Sequence, residues 1–235
     1  SQAAAEYDEC LLKARFLTEL APGFSLFETL YATREAGIRH LERHLARLGL
    51  SADCLGFRLG FADLRQALAA LAATLVAGIP YRIKLILHKN GSYDLDAARL
   101  EELPPGPLSL LVAPAPFDAA DPLLAHKTTR RAAYDRAIAE AVRQGAFDTL
   151  FYNQAGLVTE GGRSNIFLKL DGAWITPPLS AGVLPGVMRG VLLDDPAWAA
   201  REAPVTLADL DRAEAIRVCN ALRGVREAHL MRGVI

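Results

Sequence analysis

The stretch DTLFYNQAGLVTEGGRSNIFLKLDGAWIT, residues 148–176, decides the fold class. It reads as two β-hairpins in succession. DTLFYNQ and GLVTEG pair over Asn153–Gly156. SNIFLKL and AWIT pair across Asp171-Gly172, residue types that suit the positive φ of a tight hairpin turn. Helical patterns flank the hairpins: TRRAAYDRAIAEAVRQGA (129–146), closed by Gly145, and VMRGVLLDD (187–195). AEAIRVCNA (213–221) reads as a buried strand. Toward the N-terminus, FSLFETLYA (24–32) alternates as a strand. Leu41, Leu45 and Leu48 mark a helix over 38–56, and an Ala/Leu-rich helix over 61–78 stops at Gly78 and Pro80. YRIKLILHKNG (81–91) runs into an Asn-Gly turn, and LSLLVAPAP (108–116) is a further strand. An amphipathic helix is expected over 6–18, with Tyr7, Cys10, Leu11, Ala14 and Leu17 on one face. Helices and strands mix without a regular βαβ period, so the class is α+β. A proline-rich stretch from Pro104 to Pro122 divides the chain. The expected domains are a leader helix over 1–20, a small N-terminal α/β domain over 21–116 and a larger C-terminal domain over 117–235.

Composition narrows the function. The chain has 235 residues, 51% of them hydrophobic, enough for a sizeable core. Its 26 basic and 27 acidic residues nearly cancel, which gives no electrostatic basis for nucleic acid or an anionic membrane as partner. Cys10, Cys54 and Cys219 are odd in number and lack metal-ligand spacing, and read as free thiols in a reducing compartment. Glu6, Asp8 and Glu9 argue against a secretory leader, and no apolar run approaches the ~20 residues of a membrane span. A soluble, cytoplasmic protein is expected.

Three segments in the second half carry chemistry: HKTTRRAAY (126–134), VTEGGRSNIF (158–167) and SAGVLPGVMRG (180–190). Alone, Lys127 reads as a solvated lysine before a helix, and Glu160 as a loop charge. The glycine-bearing turn leading into the helix at Val187 can present N–H groups to an anion, although such turns are common. His40 and His44 stand four apart, but the intervening glutamate misses the HExxH position and no third ligand is evident, so no metal is expected. His88, His126 and His229 show no partner pattern. The serines lack a GxSxG setting, and no phosphate-binding P-loop is present.

In order and spacing, the three segments resemble the class IV aminotransferase family, the fold-type IV pyridoxal 5'-phosphate (PLP) enzymes. The resemblance runs from about Phe24 to the end of the chain. It implies the two-domain fold of D-amino-acid aminotransferases, PLP as cofactor in the cleft between the domains, and a homodimer. Lys127 stands at the family's cofactor-bearing lysine. That amine must bond the cofactor's aldehyde and, once released by substrate, act as a base. Nearby Arg130 and Arg131 would lower its proton affinity. Glu160 matches the carboxylate facing the pyridine nitrogen. Asn165, in SNIF, lies on the strand beside the cofactor. Leu184 is placed against the ring, with Gly186 and the backbone of Val187 and Met188 near the phosphate. Arg47, in RHLARL, matches a phosphate-binding arginine. His44 matches a helix histidine with a packing role, and Asn220 a polar residue beside the phosphate.

Within the family, HKTTRRAAYD and CNALRGV resemble the aminodeoxychorismate lyases. Aminotransferases of this fold more often carry a tyrosine five residues after the lysine, where this chain has Ala132 and then Tyr134. The leader YDECLLKARFL resembles the closing helix of the chorismate-using synthase, which implies an upstream synthase domain. The implied reaction converts 4-amino-4-deoxychorismate to 4-aminobenzoate and pyruvate. Lys127 would remove a proton, Thr29 or Lys127 would supply one to the leaving group, and Arg82, Lys84, Arg130 and Tyr134 would meet the carboxylates. Branched-chain or D-amino-acid transamination on the same lysine and glutamate is the alternative, and a non-catalytic scaffold is a third reading.

Overall fold

The structure is a computed structural model that describes residues 23–231. The helix expected over 6–18 and the leader at 1–20 lie outside the described residues. The chain forms two compact units. Among the described residues, the first holds those up to Glu102 together with His126–Arg130, and the second holds Leu103–Ala125 and those from Arg131 to Met231.

The first unit is a four-stranded antiparallel sheet backed by two helices. Its strands are β1 (Leu26–Thr33), β2 (Gly37–Ile38), β3 (Tyr81–Leu87) and β4 (Tyr93–Arg99), in the order β2-β1-β3-β4. Helices α1 (Leu41–Leu55) and α2 (Phe61–Thr74) fill the interval between β2 and β3. On β1, Leu26, Glu28, Leu30 and Ala32 are buried, and opposite them in register lie Leu87, Leu85, Ile83 and Tyr81, also buried. Leu45, Leu48, Leu64 and Leu68 complete this core, each at most 3% exposed. Burying such a side chain is worth about 1.5–3 kcal/mol, so the unit's cohesion rests on this face. Phe27, Thr29 and Tyr31 alternate onto the opposite face, across from Ile86, Lys84 and Arg82.

In this unit the sequence reading lacks two strands, β2 and β4, and runs the second helix too far. The strand from Tyr81 ends at Leu87 and turns through Asn90-Gly91 into β4, a strand the pattern did not reveal. The second helix stops at Thr74 because Leu75 adopts an extended backbone that buries its side chain to 5% exposure.

The second unit contains a curled eight-stranded mixed sheet. In chain order its strands are β5 (Leu108–Val112), β6 (Asp148–Tyr152), β7 (Val158–Gly161), β8 (Asn165–Leu170), β9 (Ala173–Thr176), β10 (Arg201–Glu202), β11 (Ala215–Asn220) and β12 (Gly224–Leu230). They lie in the order β10-β9-β8-β11-β12-β5-β6-β7. Both expected hairpins form. Asp171 and Gly172 take φ of 49° and 77°, the paired positive values of a type I′ turn. Helix α3 (Ala132–Arg143) packs on β6, and α4 (Val187–Asp194) on β11. Helix α5 (Leu207–Arg212) opens with a capping box between Thr206 and Asp209. Leu110, Leu150, Val158, Ile166, Leu168, Val205 and Val218 form the core. Among the described residues, no helix is long and apolar enough to cross a membrane.

Candidate active site

The hairpin strand β7 ends by delivering Glu160 into the second unit, 6% exposed. Three groups of this unit donate to its carboxylate. Tyr134 Oη donates to Oε1 at 3.3 Å, while Asn165 Nδ2 and the Leu184 backbone N–H each reach Oε2 at 3.1 Å. The Asn165 amide also donates to the Leu184 carbonyl at 3.2 Å. The motifs around Glu160, Asn165 and Leu184 thus close into one hydrogen-bonded ring. The donors on which this geometry rests are neutral dipoles.

Tight turns enforce the arrangement. Asp148 on β6 is fully buried, and its carboxylate accepts from Ser164 Oγ at 2.6 Å, Arg163 N at 3.1 Å and Thr149 N at 2.9 Å. Burial raises its pKa against these bonds. A Cβ on Gly161 would strike the Asp148 carboxylate, so the turn after Glu160 requires glycine. Gly186 is the N-cap of α4, and a Cβ there would strike the Asn165 side chain. The chain can therefore approach Asn165 closely just before the first-turn N–H groups of Val187 and Met188, which have no acceptor within the helix. A buried carboxylate beside a glycine-opened helix N-terminus suits a flat ring with a cationic nitrogen at one end and a phosphate at the other.

Tyr134 packs its ring on Phe151 (4.9 Å) and Phe117 (5.5 Å). Burial, followed by the Glu160 charge, drives its pKa upward. Its hydroxyl, expected at substrate carboxylates, is directed at Glu160. Asn220 donates to the Arg163 carbonyl at 3.0 Å and accepts from Arg223 N at 2.8 Å. Arg131 reaches Asp135 at 2.8 Å and the Gly162 carbonyl at 2.6 Å.

Lys127 belongs to the first unit. Phe27 N donates to the Lys127 carbonyl at 2.9 Å, Thr129 N to the Ser25 carbonyl at 2.8 Å, and Thr128 bridges Leu26. Residues 126–130 therefore pair with β1 rather than lead directly into a helix. The Lys127 amine lies 4.5 Å from the centroid of the Phe27 ring, which puts it on the same face of β1 as Thr29. Arg82 and Lys84 share that face through their register with Tyr31 and Thr29. Arg82 Nη2 stands 3.6 Å from Asp96, and its Nε is buried with no hydrogen-bond partner among the described residues. Arg130 is exposed.

Arg47 projects from α1 onto Glu28 of β1 through Nε at 2.9 Å and Nη2 at 2.5 Å. His44 Nδ1 lies 2.8 Å from the same carboxylate. Sequence reasoning missed Glu28. The signal was available, because the alternation that buries Leu26 and Leu30 also buries the residue between them on that face. Three further histidines are also partnered. His88 bridges Ser25 (3.1 Å) and Asp94 (2.8 Å), His126 meets Ser51 (3.0 Å), and His229 meets Ser109 (3.2 Å).

Known proteins share this organisation. Residues 25–230 match the family model described as "Amino-transferase class IV". A Schizosaccharomyces pombe protein named "Putative aminodeoxychorismate lyase" is 32% identical over 176 residues, 73% of this chain and 74% of that protein. The structure of a Mesorhizobium loti protein described as a "Putative amino-acid aminotransferase" superposes with a TM-score of 0.81 at 35% identity, covering 89% of this chain and 100% of that one. A Legionella pneumophila structure, "Putative 4-amino-4-deoxychorismate lyase", shares the fold with a TM-score of 0.77 at 24% identity, over 92% of this chain and 90% of that one. The chain belongs to the class IV aminotransferase family, and its cofactor is PLP.

Proposed function

We propose that the chain is an aminodeoxychorismate lyase, which converts 4-amino-4-deoxychorismate to 4-aminobenzoate and pyruvate. The observation that carries this reading is the open face of the first unit's sheet, where Lys127, Thr29, Arg82 and Lys84 gather. An amine, a hydroxyl and two cations on one face suit a substrate that bears two carboxylates. The S. pombe relative's name and the absence of a tyrosine five residues after Lys127 support the same choice.

Lys127 would hold the cofactor, with Glu160 at the ring nitrogen, Asn165 and Leu184 beside the ring, and Arg47, Gly186, Val187, Met188 and Asn220 around the phosphate. When bound, PLP supplies an electron-poor ring that stabilises negative charge at the substrate's amine-bearing carbon. The Lys127 amine then takes the proton from that carbon, and Thr29 Oγ1 delivers one to the departing enolpyruvyl group. Arg82, Lys84 and Arg130 orient the carboxylates, and Tyr134 steadies Glu160. Pairing as a homodimer, an upstream synthase domain and a cytoplasmic setting complete the proposal.

Amino-acid transamination is the second reading, favoured by the 35% identity to the M. loti protein. The two reactions differ in their need for a keto-acid acceptor. Purified protein with PLP is expected to release pyruvate and 4-aminobenzoate from aminodeoxychorismate with no keto acid present, and Lys127→Ala to abolish both this turnover and a borohydride-sensitive visible band. A band with amino-group transfer to 2-oxoglutarate but no pyruvate would replace the lyase with the aminotransferase. Near-normal turnover by Lys127→Ala would overturn both.

A further inference from the structure

The first unit buries a polar trio that its core does not require. Glu28 is 1% exposed, His44 is 1% exposed, and the Arg47 side chain is 11% exposed. Buried ion pairs gain little net stability over well-packed apolar residues of the same volume, because desolvation opposes their attraction. Their geometry is nevertheless specific. Glu28 grips the Arg47 guanidinium at two points, Nε and Nη2, which fixes the plane of the fork. His44 Nδ1 holds the carboxylate from the other side, and His44 Nε2 is buried with no hydrogen-bond partner among the described residues.

We propose that Glu28, backed by His44, is the positioning residue that sets Arg47 to receive the cofactor's phosphate. The inference rests on the reading that Arg47 contacts that phosphate. Arginine is a long, rotamer-rich side chain, and ordering it during binding weakens affinity. The two-point grip completes that ordering beforehand. The Glu28 charge works in the opposite sense, since a carboxylate near a phosphate dianion repels it. Orientation and charge therefore predict opposite signs when the charge is removed. A positioning role means weaker phosphate recognition in Glu28→Gln, and a charge-balancing role means stronger.

The test titrates the apoprotein with PLP and with pyridoxal, which lacks the phosphate, for wild type, Glu28→Gln, Glu28→Asp and Arg47→Ala. Both Glu28 variants are expected to lower the preference for PLP over pyridoxal by about tenfold while pyridoxal affinity stays level. Glu28→Asp keeps the charge and draws it back by one methylene, so it reports on orientation even if Glu28→Gln does not fold. An unchanged or increased PLP preference in a folded Glu28 variant, with Arg47→Ala showing the loss, would overturn the positioning role alone. An unchanged preference in Arg47→Ala would overturn the phosphate reading and the inference with it. Neither outcome depends on which substrate the enzyme uses.

Discussion

Each unit buries one glutamate at its centre, and the two are held in opposite ways. Glu28 is held by side chains of one helix: the Arg47 guanidinium grips it and the His44 ring backs it. Burial alone would raise its pKa, but the Arg47 charge and the His44 bond overcome this and hold it at about 2. Glu160 receives a tyrosine hydroxyl, a side-chain amide and a backbone N–H. A carboxylate gripped by a resident guanidinium directs its charge at the protein's own side chain. The three donors to Glu160 from its own unit are neutral dipoles that orient its carboxylate. Burial and residue type are alike at the two sites, so the difference in role lies in the partners.

Substitution to the neutral amide tests this contrast most directly. Glu28→Gln is expected to destabilise the apoprotein by about 3 kcal/mol at neutral pH, since it removes a carboxylate held from 4.5 to about 2. A lowered folded-state pKa gives stability that is complete above 4.5 and is lost as pH falls toward 2. Denaturation curves across that acid range are therefore expected to converge for wild type and variant. Curves that stay parallel would break the contrast.

Glu160→Gln is expected to behave differently. The amide oxygen can still accept from Asn165 and Leu184, so apoprotein stability should change by about 1 kcal/mol or less. Turnover should fall by about 100-fold, the usual loss when a preorganised charge is removed from a site. A large loss of stability with full activity would reverse the roles of the two glutamates.

The smallest effect is expected from Tyr134→Phe, about 1 kcal/mol of stability for one neutral hydrogen bond. The sign with pH sharpens the comparison. The Tyr134 pKa is raised above 10.0 by burial and then by Glu160, so its contribution is complete below 10.0 and is lost as pH climbs past it. Alkaline denaturation should therefore be shallower in the Phe variant, which leaves the acid limb set by Glu28 untouched.

Local chemistry made much of this molecule readable. The Asp-Gly turn and the alternation of FSLFETLYA were legible because period-2 burial and positive φ leave marks in residue type. β4 was not legible. YDLDAAR is a half-exposed edge strand whose existence depends on pairing with β3 rather than on an apolar stripe. Glu28 was hidden by the rule that charged residues point outward, which fails where a partner helix supplies the counter-charge. Lys127 was assigned by resemblance to a family, but its pairing with β1 joins segments about a hundred residues apart, and no local pattern encodes that.

That pairing governs how the protein can be made. The first unit is discontinuous in sequence, because the strip His126–Arg130 returns to it after the chain has already entered the second. No single cut yields two whole units, so expressing the N-terminal part alone leaves the start of β1 without the strip that pairs with it and the product without Lys127. During synthesis, the sheet around Leu26 waits with an open edge until Arg130 has left the ribosome, and only then is the first unit complete.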